Sequence, residues 1–179
     1  MLHVCCIGCG VYVAESLARD FRVRLYFYNP NIFPASEYEK RFRETRHVAD
    51  IMKLDLIVGA CDHDAWLKMI AGREKDPERG ERCRLCYRER LRSTAEKAAA
   101  EAADYFTTTL SVSPHKDAKA ISMLGREMAG RYGVEFLDRD FKKQDGFKKS
   151  CAKSRELDLY RQDYCGCEFS RSSLQSPGL

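Results

Sequence analysis

The sequence predicts an α/β fold in which a parallel β-sheet is flanked by helices. Short apolar, β-branched segments alternate along the chain with longer amphipathic ones, and this alternation favours parallel strands joined by helical crossovers. The chain of 179 residues is long enough for one domain with its own core, and no repeat or low-complexity tract divides it. We therefore expect a single Rossmann-like domain over residues 1–170, with residues 171–179 as a frayed C-terminal tail.

The order of the elements follows from the periodicity of apolar residues and from the residues that interrupt it. A first short strand begins at Leu2 and runs into a tight, glycine-flanked turn that carries three cysteines. Further strands are expected at residues 22–28, 54–59, 105–110 and 134–137. Helices are expected at residues 11–20, 36–52, 62–66, 81–103, 118–132 and 149–157. Ser36 is a candidate N-cap, and Gly133 a candidate C′ residue.

Nine cysteines are the most unusual feature of the composition. No apolar run is long enough to span a bilayer, and the first residues lack the basic region of a secretory signal, so we expect a cytoplasmic protein with no membrane partner. Reduced thiols in that compartment favour metal or redox chemistry over a disulfide framework. Cys61 and Cys151 stand alone and are expected to be buried core residues.

The other seven cysteines fall into three groups, which are Cys5-Cys6-Cys9, Cys83-Cys86 and Cys165-Cys167. Residues three apart on a helix share a face, and the glycine between the last two cysteines lets both sulfurs turn toward one centre. We expect the three groups to meet at the ends of the strands as a metal site. Four thiolates satisfy zinc or a four-iron cluster equally well, and seven thiols exceed a single zinc site. The surplus would leave about three for a second metal with an open coordination position.

The charge distribution says more than the net charge of +4. Five arginines, Arg82, Arg84, Arg88, Arg90 and Arg92, crowd the predicted helix that carries the second cysteine group. A second basic segment spans residues 139–155. Such runs are often solvated helix faces, but both flank cysteine groups, and this favours an RNA-facing rim.

Five motifs, spread in order between His3 and Ser170, carry a resemblance to a known family. They are His3-Val4-Cys5-Cys6, Phe27-Tyr28-Asn29-Pro30-Asn31-Ile32, Glu78-Arg79-Gly80-Glu81-Arg82-Cys83, Phe106-Thr107-Thr108-Thr109-Leu110 and Tyr160-Arg161-Gln162-Asp163-Tyr164-Cys165-Gly166-Cys167. Together they resemble the epoxyqueuosine reductases of the QueH family. The chain departs from the family at Ile7-Gly8, where Ala-Pro is more usual. Cys151 lies where the family pattern does not call for cysteine.

The resemblance implies a cobalamin-independent oxidoreductase of tRNA modification that carries a [4Fe-4S] cluster and an adjacent iron ion. It implies the conversion of epoxyqueuosine to queuosine at the wobble position of the tRNA anticodon, by two-electron deoxygenation of the epoxide. The metal ligands that it implies are Cys5, Cys6, Cys9, Cys83, Cys86, Cys165 and Cys167. The electrons would come from an external donor protein or reductant that the sequence does not identify.

Other residues are candidates for proton transfer and substrate binding. Asp163 and Tyr164 stand beside the last cysteines and are candidate proton donors, with His3 as a further possibility that is better explained as a buried strand residue. Candidate RNA contacts are Asn29, Asn31, Thr108, Tyr160, Arg161, Lys142, Lys143 and Lys149. Each type also has an ordinary structural role, such as turn formation for the asparagines or packing for the tyrosines.

Two rival functions remain open on the sequence alone. A zinc-stabilised RNA-binding module without catalysis would explain the basic segments and the Cys83-Cys86 pair, but it leaves surplus thiols. An ATP-dependent tRNA thiolation enzyme would need a glycine- and serine-rich phosphate loop after the first strand, where this chain has cysteines.

Overall fold

A computed structural model describes residues 1–170 and shows within them one five-stranded sheet in which every pair of neighbours is parallel. The strands are β1 (Leu2–His3), β2 (Arg24–Phe27), β3 (Asp55–Val58), β4 (Tyr105–Thr108) and β5 (Glu135–Phe136). Their spatial order is β3-β2-β1-β4-β5, which is the order of a doubly wound Rossmann-type sheet. The predicted α/β class and parallel sheet are therefore confirmed. The tail expected at residues 171–179 lies outside the described range.

The helices cover both faces of this sheet. They are α1 (Ile7–Leu17), α2 (Ala35–Met52), α3 (His63–Met69), α4 (Glu81–Ala100), α5 (Ala118–Tyr132) and α6 (Gly146–Glu156), with a short 3-10 helix at Thr109–Val112. On one face α1 packs against α2 and α6, and on the other α4 packs against α5. Each face has its own apolar cluster, built around Leu25 and Val13 on the first and around Phe106 and Leu91 on the second. None of the helices in the described part of the chain is both long and apolar enough to cross a membrane.

The order in which strands are added to the sheet reverses at β1, which lies between β2 and β4. Strands β2 and β3 extend the sheet to one side of β1, and β4 and β5 extend it to the other. The connection after β1 leads to α1 on one face, and the connection after β4 leads to the 3-10 helix and α5. Open α/β sheets bind their ligands in the crevice outside the carboxyl ends of the strands at such a switch point. Cys5 and Cys6 lie at this point, directly after β1.

The prediction of a glycine-flanked turn after β1 is wrong. Helix α1 begins there, at Ile7, and already contains Cys9. Cys6 is its extended N-cap residue. Glycine is required here for close packing instead of for a bend. A Cβ atom on Gly8 would lie 2.5 Å from the carbonyl oxygen of Tyr160, and one on Gly10 would lie 2.6 Å from a methyl carbon of Thr109. Both neighbours belong to segments that border the switch point.

Other element boundaries differ from expectation by a few residues. Helix α2 begins one residue earlier than expected, with Pro34 and not Ser36 at the N-cap position. Strand β4 ends at Thr108, whose hydroxyl accepts a hydrogen bond from the Leu110 amide and so starts the 3-10 helix. The expected bounds of α5 are confirmed, with Gly133 at its C-terminus in the left-handed conformation (φ 67°). That conformation favours glycine because it has no Cβ.

Candidate metal centre

A cavity of about 660 Å³ opens at the carboxyl edge of the sheet, at the switch point between β1 and β4. Its lining includes the whole first cysteine group, Cys5, Cys6 and Cys9, together with Cys165 from the third group. Lys116, from the loop between the 3-10 helix and α5, also lines the cavity and lies beside Cys165. Two cysteine groups more than 150 residues apart in the sequence therefore share one cavity.

The second cysteine group lies directly behind this cavity, on the first two turns of α4. Cys83 and Cys86 are both buried. Burial raises the pKa of both thiols, to about 11 for Cys86, and the negative charge of Cys165 acts on each of them in the same direction. Cys86 and Cys167 also belong to one apolar cluster with Trp66. Each of the three groups therefore has at least one member near the switch point, and their predicted union in one metal site stays a prediction.

The last cysteine group depends on a glycine in the left-handed region. Gly166 has a φ of 106°, and a Cβ atom at this position would lie 2.9 Å from a guanidinium nitrogen of Arg41. That guanidinium donates a 3.1 Å hydrogen bond to the Cys165 carbonyl oxygen. The predicted curl of the backbone between Cys165 and Cys167 is confirmed, and the hydrogen bond from Arg41 stabilises it.

Hydrogen bonds divide the thiols into donors and acceptors. The Cys6 thiol donates to the Gln162 amide oxygen at 2.6 Å, and the amide nitrogen of Gln162 lies 3.8 Å from the Cys9 sulfur. A bond between Cys6 and Cys9 raises the pKa of Cys6 and lowers that of Cys9 to about 6. In the same way a bond from Cys167 lowers the pKa of Cys165, with Lys116 and Arg90 adding to the effect. The surroundings therefore favour the thiolate, the metal-binding form of cysteine, at Cys9 and Cys165, whereas the pKa values of Cys6 and Cys167 are raised.

Buried cations surround these sulfurs. Arg90 and Lys116 are 1% and 9% exposed, and within residues 1–170 neither forms an ion pair with Asp or Glu. Burial alone would lower the pKa of Lys116, but the neighbouring Cys165 thiolate more than offsets this and raises it. Buried charges are stable only when opposite charges compensate them. Thiolates are the available counter-charges here.

No three Cys, His, Asp or Glu side chains in residues 1–170 are close enough together to hold a metal ion as they stand. The chemistry of the donor set nevertheless fits a thiolate-ligated centre. Seven soft sulfur donors, few hard oxygen donors and several uncompensated cations suit an anionic iron–sulfur centre better than a hard cation such as Mg²⁺.

Sequence comparisons identify the family of the chain. The sequence profile of the family described as epoxyqueuosine reductase QueH matches residues 1–173. The chain belongs to the QueH family. An epoxyqueuosine reductase QueH from Streptococcus pyogenes serotype M1 is 36% identical over 176 residues, which cover 95% of this chain and 69% of that protein. The QueH protein of Thermotoga maritima is 35% identical over 176 residues, covering 95% of this chain and 88% of that protein. That of Staphylococcus epidermidis is 34% identical over 178 residues, covering 95% and 75%.

Of the predicted proton donors, Asp163 and Tyr164 both line the cavity of this QueH family member. Asp163 is exposed to solvent. The hydroxyl of Tyr164 donates to the carbonyl oxygen of Phe33 at 3.4 Å. His3 is fully buried, with its Nδ1 atom 2.8 Å from the Thr108 hydroxyl, and burial lowers its pKa well below the usual range. His3 is therefore a neutral part of the interior.

The polar residues expected to bind RNA from the strand ends lie in the interior. Asn29 is fully buried, donates to the Val4 carbonyl oxygen at 2.9 Å and accepts from Arg90 at 2.6 Å. Asn31 is also fully buried, and Thr108 is 1% exposed. Protein encloses all three side chains in this structure, and the amide of Asn31 has no hydrogen-bond partner among the described residues. Their contact with RNA stays a prediction.

The other candidate RNA contacts are spread over the surface. Arg161 lines the cavity, whereas the Tyr160 hydroxyl donates to Glu37 at 3.0 Å outside it. Lys143 is exposed and lines a separate groove between α5 and the loop after β5. Lys142 is half-buried, and Lys149 is exposed with its ammonium 5.6 Å from the ring of Tyr12. Among these five, only Arg161 is brought to the thiols.

The arginines of α4 do not form one RNA-facing rim. Arg82 and Arg90 are buried, Arg92 pairs with Glu89 and Glu96, and Arg84 and Arg88 are exposed but also paired with glutamates. Only residues three or four positions apart share a face of a helix, so these five arginines point to different sides of α4.

Two isolated cysteines also differ from expectation. Cys61 is exposed and Cys151 is half-buried, so neither is a core residue. Neither lines the cavity.

Sequence reasoning missed three residues around the site. Gln162 could have been found because it lies within the last cysteine motif, and Lys116 because it lies in the connection that follows β4 and the 3-10 helix. Arg41 lies in the middle of α2 among other charged residues, and no feature of the sequence separates it from them.

Proposed function

We propose that this chain reduces epoxyqueuosine to queuosine at the wobble position of tRNA, as the name of its family and of its relatives indicates. The observation that supports this most directly is the cavity at the switch point, which is lined by Cys5, Cys6, Cys9 and Cys165 together with Lys116. The other three thiols of the family motifs, Cys83, Cys86 and Cys167, are buried nearby. The volume of about 660 Å³ lies in the range of cavities that enclose a small ligand, so one extruded nucleoside fits.

The residues that would hold the metal are Cys5, Cys6, Cys9, Cys83, Cys86, Cys165 and Cys167. When bound, a [4Fe-4S] cluster with an adjacent iron ion would supply electrons and a Lewis acid for the epoxide oxygen. Thiolate ligands require a reducing compartment, so we place the reaction in the cytoplasm. An external low-potential reductant or donor protein would provide the electrons.

The chain's own residues would bind the nucleotide and supply protons. Removal of the epoxide oxygen consumes two electrons and two protons and releases one water, leaving a carbon–carbon double bond. Asp163 lies on the cavity wall and is exposed, so it can take protons from solvent and pass them to the departing oxygen. Tyr164 borders the same wall and would orient the ring that carries the epoxide.

Arg161 is the best-placed phosphate contact. Its side chain borders the cavity, and its guanidinium lies 5.6 Å from the centre of the Phe147 ring. A phosphate flanking the extruded nucleoside would meet this charge first. Lys142, Lys143 and Lys149 would contact the RNA backbone farther from the cavity.

The test is an anaerobic turnover assay of reconstituted protein with tRNA that contains epoxyqueuosine and a low-potential reductant. We expect queuosine in the digested tRNA, and about 10²-fold slower turnover for Asp163→Asn with unchanged iron content. The matched control is Asp50→Asn, an exposed position on α2, which should leave turnover unchanged. Absence of queuosine with fully loaded protein would contradict the proposed function, and wild-type turnover of Asp163→Asn would remove that residue from the proton path.

A further inference from the structure

Arg90 is a cation enclosed in the middle of the protein. It lies on α4, one turn after Cys86, and its side chain is 1% exposed. A buried charge without an opposite partner is strongly destabilising, so the surroundings of this guanidinium must supply negative charge.

One edge of the guanidinium is held by two side chains from the neighbouring strands. Its Nε atom lies 3.3 Å from Nε2 of His3, and its Nη2 atom donates to the Asn29 amide oxygen at 2.6 Å. Asn29 is itself fixed by a 2.9 Å bond to the Val4 carbonyl oxygen. Both partners are neutral, because burial keeps His3 unprotonated, so these bonds orient the charge without balancing it.

The remaining nitrogen, Nη1, is buried and has no hydrogen-bond partner among the described residues. Leaving a charged buried donor unsatisfied is expensive, and native proteins do so only where a ligand or function explains it. The guanidinium is therefore fixed on one side and has a spare donor on the other.

Three cysteines from three different segments lie near enough to Arg90 for their charges to act on it. Cys86 precedes Arg90 by four residues on the same helix face, and Cys5 follows His3 by two residues. Burial lowers the pKa of Arg90, but Cys5, Cys86 and Cys165 raise it above the ordinary value when they carry the thiolate charge that a metal-bound cysteine has. Each cysteine group thus contributes one sulfur to the electrostatic surroundings of this single charge.

We propose that Arg90 is the fixed counter-charge of the metal centre, a positioning residue that holds Cys5, Cys86 and Cys165 together and favours the reduced state of the bound centre. Adding an electron makes a thiolate-ligated centre more negative, and a nearby permanent positive charge stabilises that state. Arginine suits the position because its planar fork binds His3 and Asn29 while its charge persists at every physiological pH. The inference rests on the proposed function for the presence of an iron–sulfur centre.

The test is an anaerobic redox titration of reconstituted protein, with dithionite as reductant and the reduced centre followed by electron paramagnetic resonance. For Arg90→Met we expect the ratio of reduced to oxidised centre at a fixed potential to fall about tenfold, a negative shift of roughly 59 mV for a one-electron couple. Arg90→Lys keeps the charge and should stay nearer the wild-type midpoint. The control is Arg92→Met on the same helix, whose guanidinium pairs with Glu89 and Glu96 and whose loss should leave the midpoint unchanged.

An unchanged midpoint in Arg90→Met would overturn the inference. If Arg90→Met folds but binds no iron while Arg90→Lys does, the need for a charge is supported. If both variants fold and both lose iron equally, the charge has no separate role and the inference is overturned.

The wild-type protein gives a second test that does not depend on the variants folding. In protein labelled with ¹⁵N-arginine, the reduced centre should show ¹⁵N coupling in pulsed paramagnetic resonance, and Arg90→Lys should lose the part of it that Arg90 contributes, with the coupling from Arg41 and Arg161 remaining. Absence of the Arg90 contribution from the wild-type coupling would overturn the inference. These readouts require no turnover, so a centre that behaves as expected but leaves epoxyqueuosine intact would contradict the proposed function alone.

Discussion

Replacing Gly8 by alanine tests whether the start of α1 positions the cysteine segment at the far end of the chain. The added Cβ would lie 2.5 Å from the Tyr160 carbonyl oxygen, whereas ordinary contact begins at 3.4 Å, so the backbone at Tyr160 must retreat by about 0.9 Å. The same segment carries Gln162 and Cys165 into the cavity. A shift of that size at a site of chemistry costs about 10²-fold in rate.

The expected loss of stability follows from two opposing effects. Overpacking costs about 1–3 kcal/mol, and the better helix propensity of alanine returns about 0.5–1 kcal/mol. A net loss of about 1 kcal/mol corresponds to a fall of about 2–4 °C in the melting temperature of a chain of this size. Thermal unfolding followed by circular dichroism measures this, alongside turnover and iron content on the same preparation.

The matched control is Gly130→Ala in α5, where an added Cβ would meet nothing within 4 Å. The free energy of unfolding of this control should rise by about 0.5–1 kcal/mol, and its activity should be unchanged. If Gly8→Ala were stabilised like the control and turned over at the wild-type rate, the close packing of α1 against Tyr160 would not position the cavity.

Three further changes test the core and the thiols. Met128→Ala truncates a side chain that is 1% exposed between α4 and α5. It should lower the free energy of unfolding, measured by urea denaturation, by about 2–5 kcal/mol. A loss under about 1 kcal/mol would argue against a packed core there. Cys165→Ala should abolish iron–sulfur absorbance and turnover together, while Cys151→Ala should change neither, and intact activity of Cys165→Ala would remove that residue from the site. Cys9 in the metal-free protein should react with iodoacetamide with a midpoint near pH 6, since its pKa is lowered to about 6. Its contribution to the free energy of unfolding is then complete above about pH 8.5 and declines as the pH falls toward 6, and a reaction midpoint near 8.5 would contradict this.

Much of the fold could be predicted because it depends on local patterns. The periodicity of apolar residues shows the alternation of strands with amphipathic helices. Helix α5 also has recognisable capping residues, with Asp117 at its N-terminus and Gly133 at its C-terminus. The place of Cys5 and Cys6 also follows from a general rule, since residues that directly follow the strand at a switch point lie at the ligand-binding edge of the sheet. The rule does not extend to the other two cysteine groups, which follow helices.

The rest depends on contacts between distant segments. Arg90 resembles its exposed neighbours in sequence, and only the packing of α4 against β1 and β2 brings it to His3 and Asn29, 87 and 61 residues away. The start of α1 could not be predicted because glycine disfavours helices, and the close approach of Thr109 and Tyr160 overrides that preference.

The central claim is that thiols from three segments hold one iron–sulfur centre, and its most direct test is metal and acid-labile sulfide analysis of anaerobically purified protein. The account predicts iron and sulfide in the same protein fraction, at about four irons or more per chain. Zinc without iron or sulfide would contradict it and favour a metal-stabilised RNA-binding module.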